Sequence, residues 1–263
     1  MTTDEILALY DAEMRRDPFD LFGQIEKWPG LTRVVMTPPS RHGGWILFTR
    51  LDADTIEAAI ATQIADLGDR SGGWTESFEW KVFDHDTPAD LKQRLLAHGF
   101  EAEEPEALMA LDLEDAPPRL RAPLQADVRR ISDPAQVQQI TVVQEGVWDD
   151  AKLGLVEELA QTLSTRPDLL SIFQAYADEQ PACNGWMRYH PGRQFADLWG
   201  GSTLPAYRGR GLYTAIVAAR AQEARARGVR FLTVDASPMS RPILEKLHFR
   251  CLTYTTPFVW KKP

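Results

Sequence analysis

The sequence predicts a two-domain α+β protein, and three observations carry that expectation. The chain has 263 residues, more than one minimal domain needs. Helical and strand-like patterns alternate through both halves. Between them runs Asp115-Ala116-Pro117-Pro118-Arg119, extending to Pro123, whose prolines are expected to continue neither a helix nor a strand. The expected division is a first domain over 1–114, a linker over 115–125 and a second domain over 126–263.

In the first half, Met1 to Arg16 places Ile6, Leu7, Leu9, Tyr10 and Met14 at roughly helical spacing. It has no basic start, apolar middle or small-residue cleavage site, so it reads as a helix of the mature chain. Leu31 to Met36 and Trp45 to Leu51 read as strands around a turn-rich Pro38 to Gly44. Asp54 to Leu67 reads as a helix with Asp54 as its cap and Ile56, Ile60 and Ile64 on one face. Phe78 to Phe83 alternates like a strand, Pro88 to His98 is a helix closed by Gly99, and Ala107 to Leu113 is a strand.

The second half opens with a strand at Val128 to Ile131, then helical stretches near Pro134 to Val147 and Leu153 to Leu163. Strands follow at Leu170 to Asp178, Asn184 to His190 and Ala196 to Trp199. A turn containing Gly and Pro leads into an Ala-rich helix, Leu212 to Arg227, stopped by Gly228. Phe231 to Ala236, Ser240 to Leu247 and Cys251 to Trp260 read as strand, short helix and strand. The order of Phe78 to Leu113 is echoed by Phe231 to Trp260, with Gly99-Phe100 standing where His248-Phe249 stands later. Two related domains, the first without a ligand loop, would produce that echo; so would any α+β chain.

A formal net charge of -9 argues against nucleic acid as a partner, because phosphate contacts need a basic surface. No stretch has the apolar length to cross a bilayer. Two cysteines, Cys183 and Cys251, make no disulfide framework and show no metal spacing, so the expected compartment is the cytoplasm. The expected metal content is none. Asp84-His85-Asp86 has the look of a ligand cluster, but it precedes a helix start, where capping and solvation account for it.

The informative stretch is Gly200-Gly201-Ser202-Thr203-Leu204-Pro205-Ala206-Tyr207-Arg208-Gly209-Arg210-Gly211-Leu212-Tyr213. A strand end, a Gly-containing loop and a helix start together form an anion site, because the first helical N–H groups lack internal partners. Gly209 and Gly211 let the backbone approach a ligand, and Arg208 and Arg210 add positive charge. The ligand should carry phosphate. A nucleotide-triphosphate loop needs Lys-Ser or Lys-Thr after its last glycine, where Leu212-Tyr213 stands. A dinucleotide loop needs Gly or Ala where Thr214 stands.

The remaining pattern is Arg/Gln-x-x-Gly-x-Gly/Ala, and Arg208 to Tyr213, preceded by Thr203-x-Pro205-x-Tyr207, resembles the acyl-CoA loop of the GNAT superfamily of N-acetyltransferases. Val234 to Phe249 is similar to that family's next strand and helix, which normally ends Leu-Gly-Phe. The resemblance covers about residues 126–260. It implies a mixed central sheet, splayed at its middle and flanked by helices, with acetyl-CoA as co-substrate in the gap. The N-terminal domain would be a degenerate GNAT-like copy.

By that resemblance, amides of Arg208, Gly209, Arg210, Gly211, Leu212 and Tyr213 would hold the pyrophosphate. Ser202, Thr203 and Leu204 would run beside the pantetheine arm, one amide polarising the thioester carbonyl. Ser237 or Ser240 would touch the same arm. Two departures stand out: Tyr213 occupies a position usually Gly or Ala and must point away from the cofactor or stack on it, and Leu244 replaces the usual acid, a Tyr.

A general base is wanted near the gap. Asp197 precedes the loop and Glu145 and Asp149 flank Trp148. Each is a candidate base or else a solvated polar position. Tyr254 is a candidate acid or a packing residue, and His190 is a turn residue. Trp199 is a candidate wall of the substrate pocket or else a core aromatic, and Trp148 is a candidate wall of the same pocket. Arg220, Arg225, Arg227 and Arg230 read as a solvated basic run, one of them able to reach a ribose phosphate. The expected activity is acetyl transfer to a primary amine of a small molecule or peptide by direct attack, with a homodimer as the expected assembly. The alternatives are a non-catalytic acyl-CoA sensor or assembly module, and an enzyme with another acyl donor or acceptor, as in tandem GNAT proteins of small-thiol biosynthesis.

Overall fold

A computed structural model describes residues 1–19, 23–36, 42–69, 76–148 and 154–262. In chain order the first elements are α1 (Thr3–Tyr10), a π-helical turn Asp11–Arg16, β1 (Gly23–Trp28), β2 (Leu31–Met36), β3 (His42–Thr49), α2 (Ile56–Asp69) and β4 (Ser77–Phe83). Then come α3 (Leu91–Ala97), β5 (Glu101–Ala102), β6 (Glu106–Asp112), α4 (Pro118–Arg121) and β7 (Asp127–Ile131). A 3-10 turn at Pro134–Ile140, α5 (Thr141–Glu145), α6 (Leu155–Thr165), β8 (Leu170–Ala177), β9 (Gln180–Tyr189) and β10 (Phe195–Thr203) follow. The chain closes with a 3-10 turn at Pro205–Tyr207, α7 (Leu212–Ala226), β11 (Phe231–Ala236), α8 (Arg241–Glu245) and β12 (Arg250–Lys261).

The chain divides into two units. The first holds residues 1–109 together with 235–238 and 251–263. Its strands run in the order β1-β2-β3-β4-β12. All neighbours are antiparallel except β3 and β4, which are joined by the crossover through α2. Ile46, Ile56, Ile60, Phe78, Trp80, Leu91, Leu95, Phe100 and Phe258 form its core. The period-four spacing of Ile56, Ile60 and Ile64 puts one face of α2 on that core. Asp52, not Asp54, caps α2, its Oδ1 accepting from the N–H of Asp54 and Thr55 at 3.1 and 2.8 Å.

The second unit holds 110–234 and 239–250. β7, β8, β9 and β10 form an antiparallel meander, and β11 joins β10 in parallel after the crossover through α7. Ile131, Val137, Ile140, Leu159, Ile172 and Trp186 pack on one face. Phe173, Ala175, Cys183, Leu212, Ile216 and Ala219 pack under α7 on the other.

The structure departs from the sequence-based expectations at several places. The chain's end, expected in the second domain, falls in the first unit from Cys251 on, because β12 pairs with β4 from Thr255–Phe83 to Lys261–Ser77. The proline-rich stretch is no loose linker. Pro118 starts the turn α4, Leu120 is buried, and Gln222 Nε2 donates to Leu120 O at 3.1 Å and Ala122 O at 2.8 Å. A proline lacks only a donor that a helix's first turn leaves unused, so it can open a helix. Gly200-Gly201 lies inside β10 rather than in a turn. The expected helix over 134–147 is a 3-10 turn followed by α5. The strand β1 is an addition, its Ile25 and Trp28 too exposed to give an apolar alternation. The turn residues 38–41 lie outside the described residues.

The internal echo has a physical counterpart. Phe100 N–H donates to Leu95 O at 3.1 Å and Phe249 N–H to Leu244 O at 3.0 Å. Each bond closes a helix through a left-handed residue, Gly99 (φ 84°) and His248 (φ 68°).

Candidate functional site

The site is built where β10 and β11 part. Their parallel ladder has the pairs Phe195–Phe231, Ala196–Leu232 and Asp197–Thr233, while β10 continues to Thr203. Beyond Asp197 the described ladder of β10 is with β9 alone. That edge is the splay.

The same stretch of β10 carries a bulge. Trp199 faces Trp186 and Ser202 faces Asn184, so two residues, Gly200 and Gly201, stand opposite the single Gly185. Gly200 has φ 60°, and a Cβ there would fall inside the Trp186 ring. A Cβ on Gly201 would come within 2.7 Å of the Tyr213 ring. Glycine is therefore required at both places by close approach. Tyr213, the residue where Gly or Ala was expected, turns toward the sheet and packs with Cys183 and Ile216, away from the loop's open side. Burial pushes its phenol pKa up.

The loop after β10 presents a bare helix start. Leu212 opens α7 behind a left-handed Gly211 (φ 78°) with no side-chain cap. The first helical bond runs from Ala215 N–H to Gly211 O at 3.0 Å, and among the described residues nothing accepts from the N–H of Gly211, Leu212, Tyr213 or Thr214. Arg208, Gly209, Arg210 and Gly211 are exposed, and added Cβ atoms at Gly209 and Gly211 would meet open space. Arg208 Nε donates to Thr203 O at 3.2 Å, and Arg210 Nη1 pairs with Asp178 at 2.8 Å. Free N–H groups, the positive end of the helix dipole and two guanidinium groups suit a diphosphate.

Around the bulge, Leu204 N–H donates to Ala182 O at 3.0 Å. By the alternation of an antiparallel ladder, Ser202 N–H also faces β9 and Thr203 N–H points to the edge that β11 has left. Ser202 Oγ accepts from Trp148 Nε1 at 3.0 Å, and Thr203 Oγ1 donates to Cys183 Sγ at 3.1 Å. Trp148 and Trp199 are both exposed. Burial lifts the Cys183 thiol pKa to about 11, which removes it as a nucleophile.

Asp197 is neither free nor simply solvated. His190 Nε2 lies 2.7 Å from its Oδ2 and Thr233 Oγ1 donates to its Oδ1 at 2.6 Å. Burial pushes its pKa up, but His190 and the two hydrogen bonds outweigh burial and hold it below the usual range. His190, expected as a plain turn residue, is thus half of a hydrogen-bonded couple with Asp197. Glu145 is exposed at the end of α5. Tyr254 and Ser237 belong to the first unit, Ser240 opens α8 in the second, and Asp149 lies outside the described residues. Leu244 is fully buried, so α8 offers a core residue where the acid was expected.

Sequence reasoning missed three residues here. Gln144 Nε2 donates to Asn184 Oδ1 at 2.7 Å and to Gly200 O at 3.4 Å, while Asn184 Nδ2 donates to Ile140 O at 2.9 Å. That chain of amides latches α5 to the bulge. Arg220, expected on a solvated face, is 1% exposed beneath the bulge. Its spacing of four from Ile216 and eight from Leu212 was the available signal. Arg227 and Arg230 are occupied by Glu223 and Asp112.

The first unit has the same β3-α2-β4 crossover with a different filling. Asp52 caps the start of α2, placing a carboxylate where a phosphate would sit. The β3–β4 ladder pairs end at Ile46–Trp80. Just beyond, Arg15 Nε donates to Leu47 O at 2.9 Å, and its guanidinium stacks 3.6 Å over the Phe83 ring. Arg15 also meets Asp11 at 2.7 Å and Asp86 at 2.5 Å, and His85 Nε2 lies 2.9 Å from Asp11. The Asp84-His85-Asp86 run is therefore no simple solvated cap: Asp86 pairs with the buried Arg15, and His85 contacts both Arg15 and Asp11.

Residues 136–249 match the sequence profile of the acetyltransferase (GNAT) family. No curated protein matches the chain. Its fold is similar to a functionally unknown conserved protein from Staphylococcus epidermidis, at 10% identity over 97% of this chain and 98% of that one, with a TM-score of 0.71. A GCN5-related N-acetyltransferase from Kribbella flavida is similar at 13% identity, 92% and 90% coverage and a TM-score of 0.66. A tandem GNAT protein from the clavulanic acid biosynthesis pathway is similar at 12% identity, 89% and 78% coverage and a TM-score of 0.57.

Proposed function

We propose, from the match of residues 136–249 to the acetyltransferase (GNAT) family profile and the likeness of the fold to that of a tandem GNAT protein, that this chain transfers an acetyl group from acetyl-CoA to a primary amine of a small molecule or peptide. The observation that carries this reading is the uncapped start of α7, with Gly209 and Gly211 leaving room for a ligand, directly after the strand that splays from β11. Arg208 to Tyr213 would hold the diphosphate. Acetyl-CoA would supply an activated thioester: the amine nitrogen would bond to the carbonyl carbon as the carbon–sulfur bond breaks, the amine proton passing to a carboxylate and the leaving thiolate taking a proton from an acid or from water.

This chain's residues would bind, orient and exclude water. An outward amide of β10 would polarise the carbonyl in a site shielded from water. Glu145 and Asp197 are the carboxylates proposed to accept the amine proton. Glu145 is exposed beside Trp148, whereas Asp197 is engaged by His190 and Thr233. Tyr254 remains a proposed acid, and Trp148 and Trp199 proposed pocket walls. No enzyme-bound acyl group is invoked, since the Cys183 thiol is held protonated by burial.

Thiol release from acetyl-CoA across a panel of primary amines tests the reading. Amine-dependent release supports it, and acetyl-CoA binding with no release from any amine favours the sensor reading, for which buried Leu244 speaks.

A further inference from the structure

Among the described residues three arginines are fully buried: Arg15, Arg33 and Arg220. Arg15 meets Asp11 and Asp86, and Arg33 meets Glu26 and Asp66. Arg220 is different. Among the described residues it has no carboxylate partner, and its Nη1 donates to two backbone carbonyls, Trp186 O at 3.1 Å and Trp199 O at 3.2 Å. A buried guanidinium is costly unless its surroundings need it. Here the surroundings are the two strands on either side of the bulge, and an extra residue disturbs the ladder that would otherwise satisfy such carbonyls.

Space has been made for the group. A Cβ on Gly185 would stand 3.0 Å from Arg220 Nη1 and 3.2 Å from its Cζ, so a side chain opposite the bulge would press on the guanidinium. Arg220 comes from α7, whose first turn is the open anion site. One side chain thus ties the helix that would hold a diphosphate to the strand segment that would face a thioester.

The direction of the peptide matters. A trans peptide points its C=O and its N–H to opposite sides. Arg220 gathers Trp199 O and Trp186 O onto one donor, so Trp199 O is held toward β9. The Gly200 N–H is then directed away from β9, to the edge that β11 has left. A donor on the carbonyl also polarises the amide behind it.

We propose that Arg220 is a positioning residue for acyl transfer: through Trp199 O it fixes and polarises the Gly200 N–H as a donor to the thioester carbonyl. This rests on the acetyltransferase reading, and it goes beyond it by assigning the donor and the side chain that holds it.

The test compares wild type with Arg220→Met, Arg220→Lys and Gly185→Ala. Binding of CoA and acetyl-CoA is measured by titration calorimetry. The kcat and KM of thiol release are measured with the amine that wild type uses best, and the Gly200 amide is followed in the nitrogen–proton correlation spectrum of the ligand-free protein. Arg220→Met is expected to keep CoA affinity within about twofold and to lose roughly 10- to 100-fold in kcat, somewhat below the loss for deleting an oxyanion donor outright. Its Gly200 amide should move upfield. Arg220→Lys should recover part of both effects, and Gly185→Ala should reproduce them more weakly with the charge retained. That variant carries the test if Arg220→Met does not fold.

Wild-type kcat in Arg220→Met overturns the proposal, as does a loss of CoA affinity in step with kcat, which a purely structural arginine would give. Should wild type bind no acetyl-CoA, the acetyltransferase reading fails by itself. The Gly200 amide then still decides whether Arg220 holds that peptide, and an unmoved resonance sinks this part separately.

Discussion

Replacing Gly200 by alanine should damage the protein far more than the same change at Gly209, although both glycines are left-handed. Gly200 has φ 60° and Gly209 φ 76°, and a left-handed conformation costs an L-residue about 1–2 kcal/mol. At Gly209 nothing lies within 4 Å of the added Cβ, so that strain is the whole cost. At Gly200 the Cβ would fall inside the ring of Trp186, which is 5% exposed and packed against Ile131, Ile140 and Ile172. Overpacking such a site costs a further ~1–3 kcal/mol. The Gly200→Ala variant should therefore lose about 2–5 kcal/mol, against about 1–2 kcal/mol for Gly209→Ala. Urea unfolding followed by tryptophan fluorescence measures both. Acetyl-CoA affinity should fall in Gly209→Ala as well, because its methyl group enters the space a phosphate would use. Equal stability of the two variants would refute the account of the bulge.

Two further outcomes are expected in the first unit. Arg15→Met leaves the buried carboxylates of Asp11 and Asp86 without their cation, and breaking a buried pair on one side costs about 3–5 kcal/mol. A drop in urea midpoint of that size is expected, and a change under about 1 kcal/mol would show that the cluster does not bear on stability. Burial holds the His42 imidazole down to about 4 from its ordinary 6.5. A depressed pKa in the fold means that the unfolded chain binds the proton first. Stability is therefore complete above pH 6.5 and is lost as pH falls toward 4, by at most about 3 kcal/mol. His42→Asn keeps an acceptor for Gly44 N–H and should flatten that limb of the stability–pH curve; an unchanged slope would exclude His42 as its source.

Much of the fold was legible because local signals agreed with the tertiary arrangement. Leu31–Met36 and Phe231–Ala236 were readable to the residue from their apolar pattern and flanking turn residues. The anion loop was readable because its chemistry is local: two glycines, two arginines and a helix start lie within a few positions. What failed was long-range. No local pattern tells β12 that its partner is β4, some 170 residues earlier, since any strand offers the same backbone donors and acceptors. Arg220 misled for another reason. Its charge suggested water, while its helical phase with Leu212 and Ile216 pointed inward, and phase won because the bulge offered carbonyls. Gly200-Gly201 read as a turn because paired glycines usually break strands, yet isolated strand glycines also mark bulges and close approach. Asp52 took the cap from Asp54 because a carboxylate at that place reaches two N–H groups at once.

The peptide N–H groups that open α7 are proposed to grip the diphosphate of acetyl-CoA. Titration calorimetry of acetyl-CoA into wild type and Gly211→Glu tests that grip most directly. Added atoms at Gly211 meet open space, so the variant should fold, at the cost only of a left-handed residue. The predicted result is a single saturable site per chain in wild type, the first unit's helix being capped by Asp52, and no measurable heat of binding in the variant. Equal affinity in the two proteins would contradict the claim.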